Sequence, residues 1–101
     1  MIKSKILRNQ KQISHYFFNQ LGGTSKGIYK SLNCGKGSKD KITSINNNLK
    51  IVSKKIGCSI KNLVSLNQIH SNKVYKINSI PKKTLMGDAI ITNKQNIAIS
   101  I

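Results

Sequence analysis

One apolar stripe, between residues 42 and 56, restricts the fold more than any other feature of the sequence. Its members recur at alternating spacings of three and four residues: Ile42, Ile45, Leu49, Val52 and Ile56. This periodicity predicts an amphipathic α-helix with one face packed against a core. Ser38 or Asp40 is expected to cap the start of the helix, and Gly57 to adopt the left-handed conformation at its end.

Five further segments have the apolar, β-branched or aromatic character of strands and are bounded by turn-forming residues. They are residues 12–18, 63–68, 73–78, 88–92 and 97–101. Two glycine-rich loops, residues 22–27 and 31–37, separate the first of these segments from the helix. A strand, a long loop, a helix and then several strands predict an α+β fold.

The length of 101 residues suits one small domain. The strand predicted at residues 97–101 stops without a turn or a polar tail after it. We therefore expect residues 1–101 to form a single incomplete domain, truncated after Ile101, and the protein to be a monomer.

Lysine dominates an extreme charge balance of 18 basic and two acidic residues, a formal net charge of +16. Only Arg8 is an arginine, whereas proteins that read phosphates and bases favour the planar fork of Arg. AT-rich codons specify Lys, Ile and Asn alike, and the lysines are scattered without interleaved aromatic residues. These features favour a solvated basic surface over a specific nucleic-acid site, with a small basic RNA-binding module as the alternative.

Neither an export signal nor a membrane span is visible in the sequence. No apolar run approaches the roughly 18 residues that a transmembrane helix needs. Residues 1–14 carry charges without an apolar region behind them. Cys34 and Cys58 lack CxxC spacing and are expected to be reduced. We expect a cytoplasmic protein with no membrane partner.

Standard catalytic motifs are missing from the sequence, and one histidine is the main chemical candidate. Asp40 and Asp88 are the only acidic residues, which argues against a glycosidase with two carboxylates. His70 follows a predicted strand, where a rigid element can present a side chain to an open site. From the residues alone, His70 is either a functional ligand or an ordinary surface histidine. Cys34 is either a nucleophile in a loop or a buried thiol.

The neighbours of His70 are predicted from the same spacing argument. Gln68 shares the parity of His70 on one extended segment, so both side chains are expected to point to the same face. The glycine-rich loops leave room for a planar base or a ribose to approach backbone donors. We therefore expect His70 at the edge of a cleft lined by both loops, with Asn33 and Gln68 lining the substrate.

Several blocks of the sequence occur in an order and at spacings that are similar to one known family. They are Phe17-Phe18 with residues 21–29, residues 31–40, Asn48 within the helix, residues 68–74 (Gln-Ile-His-Ser-x-x-Val) and residues 87–92 (Gly-Asp-Ala-Ile-Ile-Thr). Together they resemble the YfiH-like laccase-domain family over about residues 12–101. Members are also described as multi-copper polyphenol oxidoreductases and as purine nucleoside phosphorylases. The resemblance implies an α+β fold with mixed α/β/β/α layers, of which this chain covers roughly the N-terminal half.

The resemblance also implies a metal site, with zinc or copper, in which His70 is one ligand. The family's other two ligands are a Cys in a Thr-Ala-Asp-Cys segment and a His in a His-Ala-Gly-Trp-Arg-Gly segment, neither of which occurs in this chain. The implied activity is phosphorolysis of adenosine, inosine or methylthioadenosine, together with deamination of adenosine. A purine nucleoside and phosphate are the implied partners, and the fragment alone is expected to be inactive. Peptidoglycan editing, assigned to some bacterial members, is a second alternative.

The sequence departs from the family where phosphate binding is concerned. Asn19-Gln20 stand where the family has Thr-Arg, and Leu49 stands where it has an Arg after the helix Asn. Lys26 or Lys30 is then the nearby cation, a less directional point charge than Arg.

Overall fold

The computed structural model describes residues 2–101, which divide into two compact units. The first unit ends at Gly57, and the second is Cys58–Ile101. Within residues 2–101, no helix has the length and apolar character needed to cross a bilayer. The single incomplete domain expected from the sequence stays a prediction.

The first unit is built on the helix α2, Ile42–Ile56, whose bounds confirm the prediction from the apolar stripe. The helix buries three aliphatic members of that stripe: Ile45, Leu49 and Val52. It ends at Gly57, which has a φ of 94° and donates its N–H to the carbonyl of Ser53. The predicted left-handed end is therefore confirmed.

The predicted N-terminal cap of the helix α2 is wrong. Lys41 is the N-cap residue, and its side chain makes no capping hydrogen bond. The Ser38 hydroxyl donates to the carbonyl of Gly35 at 2.7 Å, while Asp40 Oδ1 accepts the N–H of Lys41 at 2.8 Å. Both candidate side chains are thus engaged in hydrogen bonds within the loop before the helix.

The strand predicted at residues 12–18 is also wrong. Phe17 forms one isolated antiparallel bridge with Ile2 and is 62% exposed. The chain after Ile2 turns into the short helix α1, Lys5–Arg8, capped by the Ser4 hydroxyl. Aromatic residues favour strands only where a partner strand lies beside them, and the helix α1 removes that partner. A 3₁₀ turn, Gly27–Tyr29, lies further along this unit.

The second unit opens with a 3₁₀ turn, Ile60–Asn62, and continues as short parallel strands. Their bounds are β1 Leu63–Asn67, β2 Val74–Lys76, β3 Leu85–Met86, β4 Ala89–Ile91 and β5 Ala98–Ser100. One sheet has the order β3-β1-β5, and the other pairs β2 with β4. Val64, Ile77 and Ile90 form the core of the unit. Four of these strands confirm predicted segments, and the two-residue β3 was missed.

Candidate functional site

His70 lies in the connection between β1 and β2, in the second unit. The strand ends at Asn67, and His70 has a φ of 57°, which is the left-handed region. The single extended segment predicted to run from Gln68 to His70 is therefore wrong, because the strand ends at Asn67 and the backbone is left-handed at His70. The side chains of Gln68 and His70 are both exposed.

The backbone around His70 is held by one carboxylate, that of Asp88. Asp88 Oδ1 accepts the N–H of Ile69 at 3.2 Å and the N–H of His70 at 2.8 Å. Asp88 Oδ2 accepts the N–H of Ser71 at 2.7 Å and the Ser71 hydroxyl at 2.5 Å. Three consecutive amides thus face a single side chain that follows β3 and precedes β4.

These hydrogen bonds favour the charged form of Asp88. The Ser71 hydroxyl lowers the pKa of the carboxyl most, and the backbone amides of Ser71, His70 and Ile69 lower it further, against a smaller opposing effect of desolvation. Sequence reasoning missed this role because the contact joins residues 17 to 19 positions apart. The scarcity of acidic residues was the one available signal.

The imidazole of His70 makes no hydrogen bond to any other part of residues 2–101, so both ring nitrogens are free for a ligand. A neutral imidazole is a donor that zinc and copper accept, but a zinc site takes three or four protein ligands. Across the described residues, no three side chains of His, Cys, Asp or Glu are grouped so as to hold a metal ion. His70 therefore fits as one ligand, and residues 2–101 do not complete a site.

The first unit contains a buried polar network centred on Asn48 of the helix α2, whose side chain is fully buried. Asn48 Oδ1 accepts from the backbone N–H and the hydroxyl of Thr24, at 2.7 and 3.1 Å. Asn48 Nδ2 donates to Ser25 Oγ at 2.9 Å and to the carbonyl of Asn33 at 2.7 Å. All four hydrogen-bonding positions of the amide are used, so Asn48 ties both glycine-rich loops to the helix.

Asn33, predicted to line the substrate, is anchored within this network. Its Nδ2 donates to Ser38 Oγ at 2.9 Å and to Asp40 Oδ2 at 3.1 Å, and its Oδ1 accepts the N–H of Gly35 at 3.0 Å. Asp40 also accepts the Ser25 hydroxyl at 2.6 Å. That bond, followed by the Asn33 amide and the Lys41 backbone, lowers the pKa of the Asp40 carboxyl despite partial desolvation.

An open pocket of about 230 Å³ lies beside these loops in the first unit. Its walls are formed by Gln20, Ile28, Tyr29, Lys30, Ser31, Leu32 and Asn33. Lys30 and Gln20 thus line one pocket. Asn33 belongs to the first unit, whereas Gln68 and His70 belong to the second, and their common site stays a prediction.

The remaining candidate ligands have structural partners or unfavourable surroundings. His15 Nε2 accepts the N–H of Ser4 at 2.9 Å, which links the segment before the helix α1 to residue 15. Cys34 and Cys58 are free, half-buried thiols, and burial raises the pKa of both. A raised pKa reduces the thiolate fraction, so neither cysteine has the environment of an activated nucleophile.

Comparison with known families identifies the class of protein to which this α+β fold belongs. Residues 14–101 match the model of the family described as multi-copper polyphenol oxidoreductase laccase. The chain belongs to this family. No curated protein is significantly similar to it.

Several solved structures are similar to the chain, and three of them each match 79% of its length. YlmD from Geobacillus stearothermophilus is 24% identical with a TM-score of 0.74, and the hypothetical protein YfiH from Bacillus licheniformis is 22% identical with a TM-score of 0.73. The Neisseria meningitidis protein NMB0706 is 31% identical with a TM-score of 0.70. The match spans about a third of each of these proteins, 33%, 33% and 32% of their lengths. The resemblance to YfiH-like proteins and the α+β fold are confirmed.

Proposed function

We propose that this chain supplies the first metal ligand, His70, of a zinc-dependent purine nucleoside phosphorylase that also deaminates adenosine. The observation that carries the proposal is the free, exposed imidazole on a turn fixed by Asp88, inside the segment that matches the family. The family description itself names copper, so the test below measures both metals. The other two ligands come, in this proposal, from the family segments that this chain lacks.

Phosphorolysis exchanges two bonds at one carbon. A phosphate oxygen bonds to the ribose C1′ while the glycosidic C–N bond breaks, and the purine leaves with the bonding pair and takes up a proton. In deamination, a water oxygen replaces the purine amino group, which leaves as ammonia. A bound zinc ion supplies Lewis acidity for such chemistry. We assign Asn33 and Gln68 to the substrate lining and Lys30, in the wall of the pocket, to attraction of the phosphate.

The partners that we propose are accordingly a purine nucleoside and phosphate, without a specific nucleic acid. The lysines give long-range attraction to any polyanion, which falls steeply with salt. Binding of one RNA sequence that survives physiological salt and excess competitor would instead favour the basic RNA-binding module.

The experiment compares two histidine variants of a protein in which residues 1–101 are followed by the two family segments that hold the other ligands. Metal content is measured for zinc and copper, and phosphate-dependent release of hypoxanthine from inosine is followed by absorbance. We expect one zinc per chain in the wild type, and loss of both zinc and activity in His70→Ala. His15→Ala is the matched control, because it removes the other imidazole, which is bound to Ser4. A folded His70→Ala variant with stoichiometric zinc and full turnover would refute the assignment.

A further inference from the structure

The loop that carries His70 is wrapped around Asp88. Its two ends are tied to consecutive backbone amides: the Gly87 N–H donates to the carbonyl of Asn67 at 3.1 Å, and the Asp88 N–H donates to the carbonyl of Lys73 at 3.0 Å. The Asp88 carboxylate then fills the space between those ends with its four hydrogen bonds to residues 69–71. Gly87 and Asp88 therefore bind both ends of the loop through their backbone amides, and its middle through the Asp88 side chain.

This arrangement holds His70 in a conformation that it would otherwise avoid. A φ of 57° is uncommon for a residue with a Cβ atom, because that atom approaches the backbone. The three amides can converge on one carboxylate only when the chain turns at this point. The Asp88 carboxylate thus stabilises the left-handed conformation at His70, and this conformation sets the direction of the Cα–Cβ bond of the histidine.

We propose that Asp88 is a positioning residue for metal binding: it aims the His70 imidazole by fixing the backbone of the loop beneath it. The inference rests on the proposed function, since it needs His70 to be a ligand. A metal site tolerates displacements of only about 0.5 Å in its ligands, so a ligand on a loop needs such a support. Asp88 suits the task because it directly precedes β4, which pairs with β2.

The experiment changes the acceptor and leaves the ligand intact. In the same extended protein, in which the two family segments follow residue 101, Asp88→Asn replaces one carboxylate oxygen by an NH₂ group, which cannot accept from the facing amides. Zinc affinity is measured by competition with a chelator, and the sign of φ at His70 by NMR coupling constants in the metal-free protein. We expect zinc affinity to fall about 10- to 100-fold and the positive φ to be lost.

Two further variants make the result specific. Asp40→Asn is the matched control, because it makes the same substitution at the other hydrogen-bonded carboxylate and should leave zinc affinity within about twofold. Ser71→Ala removes the hydroxyl that donates to Asp88 and accepts the N–H of Lys73 but keeps the Ser71 backbone amide, and we expect a loss of zinc affinity of about threefold. If Asp88→Asn fails to fold, the zinc affinity of Ser71→Ala tests the proposal, and an unchanged affinity would overturn it.

The outcomes separate this inference from the proposed function. A wild type that binds no stoichiometric zinc would overturn both. If the wild type binds zinc, and Asp88→Asn binds it with the same affinity and keeps a positive φ at His70, only the positioning role of Asp88 would be overturned. An equal loss of affinity in Asp40→Asn and Asp88→Asn would also overturn it, because the effect would then reflect general stability.

Discussion

The only two acidic residues of the sequence sit at the centres of two differently built regions. Asp40 of the first unit accepts mainly from side chains, Ser25 and Asn33, and thereby joins the network around Asn48. Asp88 of the second unit accepts mainly from the backbone of residues 69–71. The first carboxylate thus helps to hold separate segments together, whereas the second dictates the shape of one turn. A carboxylate that accepts from side chains thus joins separate segments, whereas one that accepts from consecutive backbone amides fixes the local conformation of a turn.

The largest expected effect comes from breaking the side-chain network at its centre. Asn48→Ala removes four hydrogen bonds at a fully buried site and leaves the Thr24 N–H and the Asn33 carbonyl without that partner. We expect the free energy of unfolding to fall by about 3 to 4 kcal/mol, because buried unpaired groups keep their desolvation penalty. Urea denaturation, followed by circular dichroism, measures the loss.

The control for that substitution is the neighbouring Asn47→Ala. Asn47 is exposed on the same helix, and its replacement should change the free energy of unfolding by less than about 0.5 kcal/mol. Similar losses in the two variants would show that the network does not stabilise the unit.

An intermediate effect is expected from crowding the segment that carries Asp88. A Cβ atom on Gly87 would lie 2.8 Å from Cε2 of Tyr75 and 3.2 Å from the carbonyl oxygen of Lys73. Gly87→Ala should therefore lower the free energy of unfolding by about 2 kcal/mol, as measured by thermal or urea unfolding. Gly37→Ala, where a Cβ atom would meet nothing within 4 Å, should be almost neutral. Equal stability of the two variants would contradict the close packing of Gly87 against Tyr75.

The smallest expected effect is the contribution of Asp40 to the loss of stability at acidic pH. Its folded-state pKa is lowered from the usual 3.8 by the Ser25 hydroxyl, the Asn33 amide and the Lys41 backbone. The carboxylate therefore stabilises the fold fully above that value, and this stabilisation is lost as pH falls below 3.8 through the lowered pKa. Urea midpoints measured from neutral pH downward should decline less steeply in Asp40→Asn than in the wild type. Parallel declines would show that Asp40 is not stabilised in its charged form.

Local patterns explain which parts of the fold the sequence predicts. The helix α2 and its glycine end follow from the spacing of five apolar residues and one Gly57. Four strands follow from short apolar runs, but β3 has only two residues and lacks such a run. The strand expected at residues 12–18 failed because its partner, beyond the bridge at Ile2, turns into a helix.

The candidate site is less predictable, because its geometry depends on contacts between distant residues. His70 could be selected from its position after a strand and from the family resemblance. Its positive φ could not, since it is imposed by Asp88, 18 residues later. The engagement of Asn33 and Asp40 in one network likewise joins side chains that no periodic pattern relates.

The strand order of the larger sheet has a consequence for synthesis of the chain. The central strand β1 is made first, and Ala98, the partner of Leu63, follows 35 residues later. At ribosomal rates of about 5 to 20 residues per second, β1 waits roughly 2 to 7 s for that neighbour. Throughout this interval Val64, a residue of the future core, is without its partner Ile99 on the emerging chain. The nascent protein thus passes through a stage in which the central strand of its larger sheet lacks this neighbour, while the helix α2, complete seven residues earlier, has already been made.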